Sequence, residues 1–308
     1  TIFSVMTAMA HRLNALNLSQ GFPDFTAPPA LLKALSQATL DGFNQYAPSD
    51  GLISLREQVA QQFLKRDQLV IDPLTEITIT PGATIAIFVA IQALIHAGDE
   101  VIIFDPCYDS YGPSVQLVDA QAIHIPLVAP EFSVNWNQVK DAINDKTRMI
   151  IVNTPHNPTG AIWSHQDWLN LIELIRDKNI VVLSDEVYEH LIYDGQKHYS
   201  ALSFPELRDR SIVVGSFGKT FHVTGWKTGY CIASPELMKL FRQVYQFVSF
   251  CGVTPIQMAL ATFMQQHPEH IDGLADFYQE KRDLFNSGIR NSRFHFTPSQ
   301  GTYFQNLN

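Results

Sequence analysis

The residue with the most chemical promise in this sequence is a lysine that comes shortly after a β-branched run. The run is 211–215, and the segment behind it, SFGKTFHVTGWKTGY, fills 216–230 with Ser216, Lys219 and Lys227 in order. A lysine amine can add to an aldehyde, and a hydroxyl with a second cation can hold an anion, so the trio could take an aldehyde-bearing phosphate ester. Taken singly, each lysine is also an ordinary solvated side chain, because lysines are mostly exposed.

Four further clusters bear on the same chemistry. In TPGAT, the residues Gly82, Ala83 and Thr84 lie between a strand and a helix, where free N–H groups and the helix dipole favour a phosphate. Glycine can stand there for the turn alone. In SDEVYEHLIYD, an ionised Asp185 could keep a ring nitrogen protonated, with Tyr188 close behind, although Ser184 or Asp185 could equally be a helix cap. NTPHNPTG, 153–160, is a loop by its turn formers, and within it Asn157 could donate to a ring oxygen. Tyr108 in DPCYDSY could stack on a planar ring or be a partly buried tyrosine of the ordinary kind. The eleven histidines form no supported H-x-x-x-H pair and the three cysteines have no metal-ligand spacing, so no metal site is expected.

Strands must position these clusters. Short β-branched runs at 76–80, 100–104, 122–127, 149–153, 180–184, 211–215 and 229–233 alternate with helical patterns such as 83–96, closed by Gly98, and 165–177, preceded by Ser164. That alternation predicts an α/β fold on a largely parallel sheet. Open α/β sheets present functional residues at the carboxyl ends of their strands, and all five clusters follow strands, so the pattern predicts one shared site. The first thirteen residues read as an amphipathic helix, and the chain before Asp50 reads as loop-rich, with Gly21, Pro23, Pro28, Pro29 and Pro48. After about 235 the pattern is helical through 285, followed by a short strand at 294–296.

Composition bounds the alternatives. The chain has 308 residues, 46% hydrophobic and 17% charged, which suits a globular protein with a sizeable core. Its net charge of -9 is spread along the chain and no basic tract exists, so nucleic acid is not an expected partner. No run approaches the roughly 18 to 20 apolar residues that span a bilayer. Three scattered cysteines fit a reducing compartment, and the cytoplasm is the expected location. Thr1 at the start and GTYFQNLN at the close read as the limits of a fragment.

Taken in order, GAT, PCYDSY, NTPHNPTG, SDEVY and SFGKTFHVTGWKTGY resemble the fold-type I, class I/II aminotransferases. The likeness extends upstream through LSQGFPDF and NQYAPSDGLISLRE and covers about 18–304. Within that family the chain looks most like the methionine aminotransferases and the related kynurenine and glutamine aminotransferases. The resemblance implies pyridoxal phosphate as cofactor and a large domain, 46–285, whose mostly parallel seven-stranded sheet lies between helices. A smaller α/β domain, incomplete here, would draw on 1–45 and 286–308. It further implies that Lys219 bonds the cofactor aldehyde and acts as acid and base, that Asp185 pairs with the ring nitrogen, and that Asn157 and Tyr188 donate to the ring hydroxyl oxygen. Tyr108 would stack on the ring. Ser216, Lys227 and the turn of Gly82, Ala83 and Thr84 would hold the phosphate, with Tyr46 reaching in from the second subunit of a homodimer. Gly21 and Phe22, with Asn157, would meet the substrate. Many family members carry arginine where this chain has Lys227, which exchanges a bidentate fork for a point charge. The family's carboxylate-clamping arginine has no assignable counterpart, because the match ends at GTYF.

The implied reaction is ping-pong transamination from an apolar or aromatic amino acid to a 2-oxo acid. Methionine is the first choice of donor, followed by phenylalanine, tyrosine, kynurenine and glutamine. A pyridoxal-phosphate β-lyase of the cysteine-S-conjugate type and a non-catalytic regulatory module with the same fold are the alternatives.

Overall fold

The computed structural model describes residues 2–18, 21 and 23–308. The first half of the chain forms α1 (Ile2–Leu13), α2 (Pro29–Leu40), α3 (Ile53–Asp67), β1 (Ile77–Thr80), α4 (Ala83–Leu94), β2 (Glu100–Asp105), α5 (Tyr111–Gln116), β3 (Gln121–Pro126), α6 (Trp136–Ala142) and β4 (Thr147–Asn153). The second half forms α7 (His165–Ile175), β5 (Val181–Asp185), α8 (Pro205–Arg208), β6 (Ser211–Ser216), α9 (Phe217–Thr220), β7 (Gly229–Ala233), α10 (Pro235–Val248), α11 (Thr254–Gln266), α12 (Glu269–Asp272) and α13 (Leu274–Ile289). All seven expected strands are present within two residues of their expected bounds. Ser164 caps α7 through a capping box with Asp167, which satisfies N–H groups that the first helical turn leaves free.

The strands make one sheet in the order β1-β7-β6-β5-β4-β2-β3. Only β7 runs against the others, pairing antiparallel with β1 on one side and β6 on the other. Alternate residues of each strand feed opposite faces. Ile102, Phe104, Ile150, Val152 and Val182 belong to a core under α3, α7 and α11, while Val101, Ile103, Met149, Ile151 and Leu183 belong to a core under α4, α5 and α10. Burying an aliphatic side chain stabilises the fold by about 1.5 to 3 kcal/mol, so two such cores hold the sheet firmly between its helices. Among the described residues no helix is long and apolar enough to cross a membrane.

Three expectations need correction. The region before Asp50 holds the twelve-residue α2, which begins with Pro29 at its first turn and buries Leu31 and Ala38. Proline suits that position because its fixed φ matches the helix and its missing N–H would be unpaired anyway. The stretch expected to be helical through 285 is interrupted between α10 and α11 and again between α11 and α12, and α13 extends to Ile289. No strand forms at 294–296; His295 instead exchanges two backbone hydrogen bonds with Asn308, at 3.0 and 2.8 Å.

Candidate active site

The reversed direction of β7 shapes the site. Its amino end lies at the edge where the other strands have their carboxyl ends, and Gly229 pairs with Thr80 on one side and Ser216 on the other. Three chain segments therefore meet there: the turn after β1, the end of β6, and the residues before β7. The approach demands glycine, because a Cβ on Gly229 would stand 2.6 Å from the Gly215 carbonyl oxygen and 2.9 Å from Ala83 N. On the next pair of strands Asn153 lies opposite Asp185.

A cavity of about 150 Å³ opens at this edge. Its lining includes Gly82, Ala83, Thr84, Tyr108, Asn157, Asp185, Tyr188, Ser216, Lys219 and Lys227, ten of the residues singled out by sequence, drawn from all five clusters. Tyr46 and Gly21 do not line it. The Tyr46 side chain is 83% exposed and packs edge-on against Phe250, with ring centroids 5.4 Å apart. Gly21 is joined to the site indirectly, since its carbonyl accepts from Tyr303 Oη at 3.0 Å. Phe22 lies outside the described residues.

At one end of the cavity, α4 begins at Gly82 with no side-chain cap, so its first N–H groups have no side-chain partner and the positive end of the helix dipole points outward. Gly82 has φ +83, and a Cβ there would come 3.5 Å from Lys227 Cε. Lys227 itself takes a left-handed φ of 48, a costly conformation for a side-chain-bearing residue that sets its cation beside the helix start. Ser216 makes no capping bond to α9 and adds a hydroxyl to the same wall. Together these groups form an anion cradle.

At the other end Asp185 is buried on the last residue of β5. Tyr111 Oη donates to its Oδ2 at 2.6 Å and the Val187 N–H to its Oδ1 at 3.3 Å. Burial pushes the carboxyl up to about 6, against the pull of those two donors and of the Lys219 charge. Such a carboxylate is poised to gain a further cationic partner. Asn153 fixes the surroundings: its Nδ2 donates to the Asp185 carbonyl at 2.9 Å, and its Oδ1 accepts from the Asn157 N–H at 2.7 Å. Tyr108 Oη lies 3.2 Å from Thr84 Oγ1, linking the walls from β1 and β2.

The loop after β5 is secured from behind by buried acids. Glu186 accepts from Ser184, Ser200, the Ala201 N–H and His198, at 2.8, 3.1, 3.0 and 2.7 Å. Glu189 accepts from Tyr230 and Arg66; although burial pushes its carboxyl up, Arg66, His190, His198 and Tyr230 bring it down to about 2. A charge held this way keeps Tyr188 in place, because freeing either partner would strand a buried ion. Lys219 Nζ reaches into the cavity from α9, 5.4 Å from the Tyr188 ring centroid, and donates to Tyr303 Oη at 2.9 Å.

Chemically, the arrangement joins an amine, a buried carboxylate, an anion cradle and an aromatic wall. Sequence reasoning missed Tyr111, Asn153 and Tyr303, the groups that orient Asp185, Asn157 and Lys219. Tyr111 closes DPCYDSY and Asn153 opens NTPHNPTG, so both lie within motifs already noted, and Tyr303 falls in GTYF, where nothing local ties it to a lysine 84 positions away.

The sequence model of the family described as aminotransferase class I and II matches residues 14–307. A methionine aminotransferase of Escherichia coli is 44% identical over 304 residues, covering 99% of this chain and 79% of the relative. A probable N-succinyldiaminopimelate aminotransferase of Mycobacterium tuberculosis is 37% identical over 306 residues, covering 99% and 77%. A kynurenine–oxoglutarate transaminase of Dictyostelium discoideum is 32% identical over 325 residues, covering 99% and 74%. A solved structure from Escherichia coli, reported with a methionine aminotransferase function, matches with TM-score 0.98 at 44% identity, covering all of this chain and 82% of its own.

Proposed function

This chain belongs to the class I and II aminotransferases, a family that depends on pyridoxal phosphate, and from that premise we propose that it moves the amino group of an apolar amino acid, methionine first, to a 2-oxo acid in two half-reactions. The observation that carries the reading is the convergence on one cavity of the uncapped α4 start with Lys227, the buried Asp185, and the Lys219 amine. Those features suit pyridoxal phosphate group by group: an anion for the cradle, a ring cation for a carboxylate that burial leaves short of charge, and an aldehyde for the amine. When bound, the cofactor supplies that aldehyde and a ring that takes up electron density as the substrate Cα–H bond breaks.

The chain's own residues do the rest. Lys219 Nζ is the amine that would hold the cofactor aldehyde at rest and, once free, would take the proton from the substrate Cα. Asp185 would keep the ring nitrogen protonated. Asn157 and Tyr188 would donate to the ring hydroxyl oxygen, and Tyr108 would pack against the ring. Ser216, Lys227 and the N–H groups of the 82–84 turn would hold the phosphate, while Gly21 and Asn157 would meet the substrate.

Methionine is favoured by the 44% identity to a relative named for it and by the aromatic cluster of Tyr188, Tyr278, Phe25, Tyr303 and Phe304, of which the Tyr188 and Tyr303 rings face Lys219 Nζ. Relative kcat/KM values for methionine, phenylalanine, tyrosine, kynurenine, glutamine and N-succinyldiaminopimelate test the choice. Methionine should lead; a clear lead for kynurenine or N-succinyldiaminopimelate would overturn the substrate and leave the reaction class intact.

Two copies of the chain pair as a homodimer in this reading, with Tyr46 of each reaching the other's phosphate. Its support is that Tyr46, Phe247 at 88% exposure, Phe250 and Val253 are large apolar side chains left exposed, with the Tyr46 and Phe250 rings in edge-on contact. Sedimentation should give twice the chain mass, and Phe247→Asp should shift it toward one; a wild-type monomer at micromolar concentration contradicts the pairing.

A further inference from the structure

Tyr303 is hydrogen-bonded to the reactive amine, yet the sequence reading gave it no role and it is not part of the cavity lining. Its hydroxyl oxygen accepts from Lys219 Nζ at 2.9 Å and is 3.5 Å from Tyr188 Oη, while its own proton is committed to the Gly21 carbonyl at 3.0 Å. That direction follows from chemistry, since a carbonyl can only accept and the phenol has one proton to give. The oxygen is thus left to receive an N–H from the lysine.

Gly21 is shaped to admit this ring. A Cβ at residue 21 would stand 2.7 Å from Tyr303 Cε2 and 2.5 Å from Phe304 Cε1, so either aromatic ring would have to move if any side chain were present. The ring has little freedom to do so: Tyr188 packs edge-on against it with centroids 5.3 Å apart, and Tyr278 and Phe304 lie at 6.0 and 5.0 Å. Three distant parts of the chain, at 21, 219 and 303, therefore share one hydrogen-bonded point.

We infer that Tyr303 is a positioning residue for Lys219: it holds the amine, whenever that amine is not covalently engaged, at the junction between the cofactor cavity and the segment at Gly21. This rests on the proposed role of Lys219. An amine on four rotatable bonds must otherwise find the substrate Cα–H by search, and misplacement by about 1 Å can cost about 100-fold in rate. The same contact couples the lysine to the Gly21 carbonyl through the shared phenol.

The test uses Tyr303→Phe, which keeps the ring, and Gly21→Ala, which should push it aside. In the cofactor-free protein, acetylation of Lys219 by limiting acetic anhydride, measured by mass spectrometry against Lys227 in the same digest, should rise about threefold or more in both variants as the tether is lost. In the holoenzyme, Tyr303→Phe should lower kcat for methionine about tenfold or more, with KM within about threefold, the pattern of an interaction that matters after binding. An unchanged Lys219 to Lys227 ratio, or a rise in both lysines together, overturns the inference, because the first denies the tether and the second reports general loosening. The labelling arm needs neither cofactor nor turnover. It therefore decides the matter even if the chain transaminates nothing, whereas absence of wild-type turnover counts against the proposed function instead.

Discussion

Lys219→Ala should reduce methionine-dependent turnover by at least about 10⁴-fold, because one substitution removes both the group that bonds the cofactor and the group that carries the proton. The loss should not come from misfolding. On α9 the neighbours Phe217, Gly218 and Thr220 are buried in the packing, whereas the Lys219 side chain points into the cavity. Truncating a cavity side chain away from the core is expected to change stability by no more than about 0.5 kcal/mol. Turnover of a 2-oxo acid product and the melting temperature, measured on the same preparation, separate the two effects. Turnover near the wild-type level in the alanine variant would remove the basis of the mechanism.

Asp185→Asn is expected to cost about 10²- to 10³-fold in kcat, the range seen when one preorganised electrostatic contact to a developing charge is removed. The side chains are nearly the same size, so Tyr111 and the Val187 N–H can still bond at this position. What disappears is the negative charge that would keep the ring nitrogen protonated. A pH signature accompanies the loss. Burial raises this carboxyl from its ordinary 3.8 to about 6, so in the cofactor-free chain the protonated form is favoured by folding. Stability from this group is then full below its ordinary value, falls as pH rises toward about 6, and is level above. Cofactor binding runs the other way: it needs the ionised form, so affinity should weaken as pH drops below about 6. Titrating pyridoxal phosphate into both proteins at several pH values should show that weakening in the wild type and a flatter profile in Asp185→Asn. Parallel profiles would mean that Asp185 does not pair with the ring.

Local chemistry made most of the site legible in the sequence. Each strand brought a polar or glycine-bearing tail, and placing those tails at carboxyl ends was enough to gather Gly82, Tyr108, Asn157, Asp185 and Lys219 around one cavity. The direction of β7 was not legible, because a β-branched run carries no mark of its polarity within a sheet. Yet that direction brings Lys227 and Gly229 beside Thr80 and Ser216. The supporting residues were hidden for a related reason. Tyr111 and Asn153 act on neighbours across the sheet, and Tyr303 acts on a lysine 84 positions away. Hydrogen bonds of that kind are set by tertiary packing and leave no spacing to read. The helix α2 was obscured by Pro28 and Pro29, which look like loop residues until one sees that Pro29 opens a helix. The strand expected at 294–296 shows the reverse error: three residues with aromatic ends had the composition of a strand, but their only regular pairing is the single exchange between His295 and Asn308.

The most direct measurement is to incubate the purified chain with pyridoxal phosphate, reduce it with borohydride, and map the phosphopyridoxyl mass by peptide mass spectrometry. It should fall on Lys219, disappear when methionine is added before reduction, and return when a 2-oxo acid follows the methionine. Label on Lys227 or on surface lysines in place of Lys219, or label on Lys219 that methionine does not remove, would contradict the account: the first its assignment of the amine, the second its assignment of methionine transamination.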